Sequence, residues 1–273
     1  MTEETLATIE GKASKIRKAI EEAALAGGSE PFHDDVYLNI RDDVANTVVA
    51  SPGNVVLSFC TFTTYFDDID VEGEKCEAII EVGEFLTYLD FASDGGKVRV
   101  TFRGNPDDRL ANVVEITGAL NARIMLPASD SILQEVPLSL PDDFNDQNRY
   151  VGAGDVPPVL VTTDTDQIER IIEVVDYDPE LDYYPVTVKD DELYLDAADE
   201  DAPDRNSVSG ALSAESVQSP EDFTNHYHEG FTQVFDTLSG KVELQTKNGG
   251  APVVIMQEND GRVLRHMLGP VGE

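Results

Sequence analysis

Tryptophan is absent from this chain of 273 residues, and cysteine occurs only as Cys60 and Cys76. Two thiols make a disulfide scaffold improbable and fall short of the ligand set of a structural zinc site. They read as buried thiols of a reducing compartment. No run of about 18 apolar residues occurs, so no membrane-spanning helix is expected. The opening segment MTEETLATIE lacks a basic region followed by an apolar run, so no signal peptide is expected there. Positive charge is scarce: 19 Lys and Arg, only eight of them lysine, stand against 54 Asp and Glu, for a net charge of −35.

What is present is enough for folded cores, since 41% of the residues are hydrophobic. The acidic residues are spread along the chain rather than gathered in a tail. Such a surface repels itself at ordinary ionic strength. In molar salt, where the Debye length is about 3 Å, that repulsion nearly vanishes. The composition therefore points to the cytoplasm of a salt-accumulating halophile, and reports on the environment rather than on a cationic substrate.

The sequence is also written twice. Ala111-Asn112-Val113-Val114 is followed by Arg123-Ile124-Met125-Leu126-Pro127, and Ala251-Pro252-Val253-Val254 by Arg265-His266-Met267-Leu268-Gly269-Pro270. Ile16, Lys18 and Ile20 stand 152 positions before Ile168, Arg170 and Ile172. That period is too long for a solenoid and means two similar domains.

Apolar spacing predicts strands at Leu6–Glu10, Val36–Arg41, Thr47–Ser51, Val55–Phe62, Ala78–Val82, Lys97–Phe102, Leu110–Thr117 and Ala119–Leu126. Helices are predicted at Gly11–Leu25 and Glu84–Ala92. The second half repeats this. Strands are predicted at Val159–Thr163, Val186–Lys189, Leu193–Asp196, Ser207–Leu212 (inside a polar insertion, 197–220), Val242–Thr246, Val253–Gln257 and Val263–Leu268. Helices are predicted at Asp164–Val175 and Phe223–Leu238. Residues 127–156, rich in Pro, Gly and Asp, read as a linker between a domain at 1–126 and one at 157–273. The class is α+β: two βαβββ-βαβββ units whose four helices suffice for one face of the sheets.

In order along the chain, Phe62-Thr63-Thr64-Tyr65, Ile80–Leu89, Met125-Leu126-Pro127 through Pro137, Phe223-Thr224-Asn225-His226-Tyr227 and the ending at Arg265–Pro270 resemble segments of the proliferating cell nuclear antigen family of DNA sliding clamps. Each motif alone is weak; their order and their agreement with the duplication carry the resemblance. His266, Met267 and Gly269 depart from the family pattern, and leave a divergent cellular copy and a viral clamp of a halophilic archaeal host both open.

The resemblance implies a non-enzymatic processivity factor without cofactor or metal. It implies a homotrimeric ring of DNA-clamp fold, with sheets outside and four helices facing double-stranded DNA, for replication and repair. The implied DNA-binding residues are Lys12, Lys15, Arg17 and Lys18, with Arg170 in the second copy. A solvated helix whose outer face is basic is the competing reading. The implied docking pocket, for DNA polymerase, clamp loader and other proteins with a clamp-binding peptide motif, comprises Ile132, Leu133, Val136, Pro252, Met267, Leu268, Gly269 and Pro270. Ile132 and Leu133 pinning the linker to the sheet is the plainer reading. The ring contact is expected between Ala119–Leu126 and a neighbour's strand near Leu193–Asp196.

Other constellations carry less. Asp68-Ile69-Asp70-Val71-Glu72-Gly73 opens like a calcium loop, but Ile79 stands where a bidentate Glu is required, so a hairpin turn is expected. His226 and His228 point apart and lack a third ligand. No P-loop, Gly-x-Ser-x-Gly or dinucleotide fingerprint occurs. Two rivals remain: a clamp-like binding protein that does not encircle DNA, and an acidic halophilic hydrolase whose carboxylates hide among many.

Overall fold

The computed structural model describes residues 3–26, 32–41, 44–50, 56–127, 159–177, 181, 183–190, 192–199, 207–212, 217–218, 221–227 and 230–270. The chain packs as two compact units. The first comprises Met1–Ala50, Ser58–Leu138 and Glu258–Leu264; the second comprises Ser51–Leu57, Ser139–Gln257 and Arg265–Glu273.

Unit 1 begins with β1 (Glu4–Lys12) and α1 (Ala13–Ala24), then β2 (Asp35–Arg41), β3 (Val44–Ala50), β4 (Val56–Phe62), β5 (Asp68–Val71) and β6 (Cys76–Glu81). It continues through α2 (Val82–Ser93), β7 (Lys97–Asn105), β8 (Leu110–Thr117) and β9 (Asn121–Met125). The strand order is β4-β3-β2-β6-β8-β7-β1-β5, with β9 paired to β8. The β6–β8 pairing is parallel, at Glu77 and Leu110. Asp68–Val71, expected as a turn, is instead a strand running antiparallel to β1, and Gly73 (φ 100°) follows it.

Helix α1 turns one stripe inward, with Ala13, Ile16, Ala19, Ile20 and Ala23 buried. It starts without a side-chain cap; the Ala13 N–H donates to the Gly96 carbonyl at 3.0 Å instead. Leu25, in the left-handed conformation, ends it. Helix α2 is capped by the Glu81 carboxylate, which accepts from the Glu84 N–H at 2.6 Å. Phe62, Phe85 and Phe102 are among the largest side chains of this core.

Unit 2 contains β10 (Val159–Asp164), α3 (Thr165–Tyr177), β11 (Tyr184–Lys189), β12 (Glu192–Ala198), β13 (Ser207–Leu212) and β14 (Val217–Gln218). It ends with β15 (Phe223–Tyr227), α4 (Phe231–Thr237), β16 (Lys241–Thr246), β17 (Val253–Asn259) and β18 (Arg262–Leu268). Two strand sets form, β14-β10-β16-β17-β18 and β13-β12-β11-β15. The Asp164 carboxylate accepts from the Asp166 N–H at 3.1 Å at the start of α3.

A second element differs from the sequence reading. The predicted helix at Phe223–Leu238 is a strand followed by a seven-residue helix. Phe223, Tyr227, Phe231 and Phe235 recur every four residues and mimic a helical face. The true period across Phe223, Asn225 and Tyr227 is two, hidden because Asn225 is polar. Asn225 is buried nonetheless. Its side chain donates to the Lys247 carbonyl at 2.8 Å and accepts from the Gly250 N–H at 3.1 Å. The Tyr227 hydroxyl donates to the Ala251 carbonyl at 2.8 Å. These bonds tie β15 to the turn between β16 and β17 and outweigh local helix preference.

Candidate nucleic-acid interface

The helices collect the candidate DNA-facing cations, and the structure sorts them. Lys12, just ahead of α1, is exposed. Lys18 is half exposed, its ammonium 3.7 Å from Glu22. Lys15 turns back onto its own unit: its Nζ donates to the Tyr65 carbonyl at 2.9 Å and lies 4.9 Å from the Tyr65 ring centroid. Arg17 pairs with Glu21 at 2.8 Å and with Asp90 of α2 at 2.5 Å. The Asp90 hydrogen bond leads the causes that raise its already high pKa, so its positive charge is permanent but locally balanced. Arg170 is exposed on α3, between Glu169 and the exposed Glu173 one turn on.

Among the described residues the helices carry no further cation. Glu84, Asp90, Asp166, Glu169 and Asp236 are exposed. Tyr88 and Phe91 of α2 are 38% and 68% exposed. Near them in unit 1, the Leu120 N–H donates to the Ala92 carbonyl at 3.1 Å, and Leu120 and Met125 are 63% and 65% exposed. Exposed apolar side chains therefore stand on α2 and at the two ends of β9.

Strand pairing revises the expected ring contact. Leu193–Asp196 lies within β12, which has β11 on one side and β13 on the other. Its hydrogen-bonding edges are filled, so it has none to offer a neighbour. Among the described residues, β13 has only β12 as partner, and β9 has only β8.

Of the candidate docking residues, Ile132, Leu133 and Val136 lie outside the described residues, as does His228. Pro252 precedes β17, while Met267 and Leu268 close β18 and lead into Gly269 and Pro270. Leu268 is fully buried; Pro252, Met267, Gly269 and Pro270 are half-buried. Together they occupy the open end of the β17–β18 hairpin. His226 stacks on Tyr183, with ring centroids 5.0 Å apart. Among the described residues, no group of three His, Cys, Asp or Glu is arranged to hold a metal ion.

Spacing gave no sign of Glu22, Tyr65, Asp90 and Arg262, which bind the α1 cations or the helix itself. The Glu22–Arg262 pair joins residues 240 positions apart.

No protein-family model matches the chain, and no curated protein matches it. Solved structures do. Proliferating cellular nuclear antigen from Entamoeba histolytica aligns with a TM-score of 0.67 at 11% identity, over 98% of this chain and 100% of that one. The A. fulgidus PCNA, solved with the C-terminal region of FEN-1 bound, aligns with a TM-score of 0.69 at 9% identity, over 98% and 99%. A chain of the PCNA2–PCNA3 complex from Sulfolobus tokodaii aligns at 0.66 and 15% identity, over 97% and 100%. At such identities the likeness establishes the fold: an α+β, two-domain clamp fold over the whole chain.

Proposed function

We propose that this protein is a DNA sliding clamp, a non-enzymatic processivity factor that encircles duplex DNA and serves replication and repair enzymes. The observation that carries the reading is the full-length likeness to clamps, with 98% of the chain and 99–100% of two of them aligned. Three copies close a ring by pairing the β9 edge of one with the β13 edge of the next. Pairing would remove two open strand edges, and the exposed Leu120, Met125 and Phe91 beside β9 supply apolar area to bury.

Lys12 and Lys18 face the phosphates, while Lys15 and Arg17 anchor the helix. Among the described residues, the exposed Lys12, Lys18 (which also reaches Glu22) and Arg170 give only a weak electrostatic hold, weaker still in high salt. Retention then rests on topology. Polymerase, clamp loader and other partners dock through short peptides at the open end of the β17–β18 hairpin. The A. fulgidus clamp, which holds the C-terminal region of FEN-1, supports a docking role. The setting is the cytoplasm of a halophilic archaeal cell, with the gene cellular or viral, because a net charge of −35 is tolerable where salt screens it.

The test is retention on DNA in about 2 M KCl, a salt level chosen from the screening argument. A trimer by mass that stays on closed circular DNA and runs off when the circle is cut is the expected result. A monomer that leaves circular and linear DNA equally fast overturns the reading in favour of a clamp-fold binding protein. Lowering KCl to about 0.1 M should also lower the melting temperature.

A further inference from the structure

Helix α1 buries a carboxylate where its neighbours are Ala and Ile. Glu22 is 2% exposed, on the same face as Ala19 and Ala23. A buried charge of this kind persists only with a partner. The partner is Arg262, 5% exposed, whose Nη1 pairs with Glu22 Oε1. Arg262 opens β18, just after the turn that follows β17, and Glu258–Leu264 packs as part of unit 1.

Everything around this pair fixes it in place. The Arg262 Nε donates to Asn259 Oδ1 at 2.6 Å. The buried Tyr65 ring lies under two cations, with the Arg262 Cζ 5.4 Å and the Lys15 Nζ 4.9 Å from its centroid. The hairpin tip is docked by its backbone: the Gly261 carbonyl accepts from the Thr63 N–H at 2.8 Å and from the Thr63 hydroxyl at 3.1 Å. Gly261 has φ 77°, and a Cβ there would stand 3.0 Å from the Thr64 N. No side chain fits, so the tip sits on the Thr63–Tyr65 backbone at closest approach.

Two positions on α1, Lys15 and Glu22, thus end on one group built from Tyr65 and Arg262. The second Glu22 oxygen, Oε2, is buried with no hydrogen-bond partner. The carboxylate therefore depends on Arg262, helped only by Lys18 at 3.7 Å.

We infer that Arg262 is the positioning residue of the DNA-facing helix: buried under α1, it sets the helix on unit 1 and so places Lys12 and Lys18, without touching DNA itself. The inference rests on the clamp reading for its consequence, but its structural half is testable without DNA. Amide hydrogen exchange of 13–24 is measured in the full chain at high salt, for Arg262→Met, Arg262→Lys and the double variant Glu22→Met/Arg262→Met. Arg262→Met strands a buried charge, and α1 should exchange at least about 100-fold faster while β7 and β8 keep their protection. The double variant replaces the pair by apolar groups of similar length and should restore slow exchange. Arg262→Lys keeps the charge but cannot reach both Asn259 and Glu22, and should fall between; it also serves if Arg262→Met does not fold.

Retention on circular DNA should follow the same order. Unchanged α1 exchange in both single variants, or a double variant as loose as Arg262→Met, overturns the inference. If the wild-type chain treats circular and linear DNA alike, the clamp reading fails while the exchange data still judge the role of Arg262.

Discussion

Helices α1 and α3 occupy matching places in the two copies, yet they do opposite things with charge. Both bury an apolar stripe, Ile16 and Ile20 in one and Ile168 and Ile172 in the other. Where α1 has Lys15 and Arg17, α3 has Gln167 and Glu169. In α1 two of the cations are spent on structure, Lys15 on Tyr65 and Arg17 on Glu21 and Asp90. The duplication preserved the packing face, which the core demands, and let the solvent face diverge. A basic stripe in sequence is therefore a poor count of free positive charge. In a chain this acidic many cations find a carboxylate: Arg17, Lys18, Lys75, Lys97, Arg99, Arg103, Arg123 and Arg262 all do.

The β-to-α step after the central strands differs in the same way. In unit 1, β6 passes directly into a twelve-residue helix capped by Glu81. In unit 2, β15 ends at Tyr227 and only a seven-residue helix follows Gly230, which sits at φ 85°. The polar bonds of Asn225 and Tyr227 to the β16–β17 turn hold the strand extended, so less chain is left for helix.

The contrast between the copies can be broken most severely by charge reversal. Changing Lys12, Lys15, Arg17 and Lys18 all to Glu should abolish polymerase stimulation and shorten retention on circular DNA by at least about 100-fold. Arg170→Glu in the second copy should cost under about 10-fold. Equal losses would mean that the two helices share the DNA face. A finer version separates anchors from contacts: Lys12→Ala and Lys18→Ala should each reduce the log–log salt slope of DNA binding by about 1, and Arg17→Ala should leave it unchanged.

Next in size is the edge comparison. Leu120→Asp with Met125→Asp places charge on the exposed apolar rim of β9 and should convert trimer to monomer by mass, with little change in melting temperature. A trimer that survives would remove β9 from the ring contact.

A smaller effect is expected from Tyr227→Phe. It deletes the hydroxyl that donates to the Ala251 carbonyl and should destabilise the protein by about 1–3 kcal/mol in chemical denaturation. A change below about 0.5 kcal/mol would mean that the β15 strand is held by packing alone.

The last is a pH effect confined to unit 1. His33 is buried, its imidazole packed edge-on to Phe32, and burial depresses its pKa to about 4. The unfolded chain takes up that proton near 6.5 while the folded chain does not until about 4, so stability falls as pH drops through this window. The contribution is at most about 3 kcal/mol. Glu22 works in the opposite sense, since burial raises its pKa above 4.5 despite Arg262. His33→Phe should flatten melting temperature between pH 6.5 and 4; an unaltered profile would assign the acid sensitivity to the carboxylates.

Much of this was legible in the chain. Alternation placed β2, β3, β4, β7, β8, β10, β16, β17 and β18 within a few residues, and the Ala and Ile spacing placed α1. β5 was missed because Asp68 and Asp70 alternate with apolar residues over only four positions. β15 was missed because its inward Asn225 breaks the apolar period. The roles of the charged α1 residues were not legible, because their distant partners lie on other elements: Tyr65 on the loop after β4, Asp90 on α2, Arg262 at the start of β18.

By itself the sequence determined the α+β class, the doubling of the unit and the apolar stripes, because these follow from local periods that every copy must keep to bury its core. Only the tertiary structure decided which strand edges stay open, which lysines remain free and what holds α1 down. Those properties belong to pairs of residues brought together across the fold, as Glu22 and Arg262 are, and no local pattern of residues encodes them.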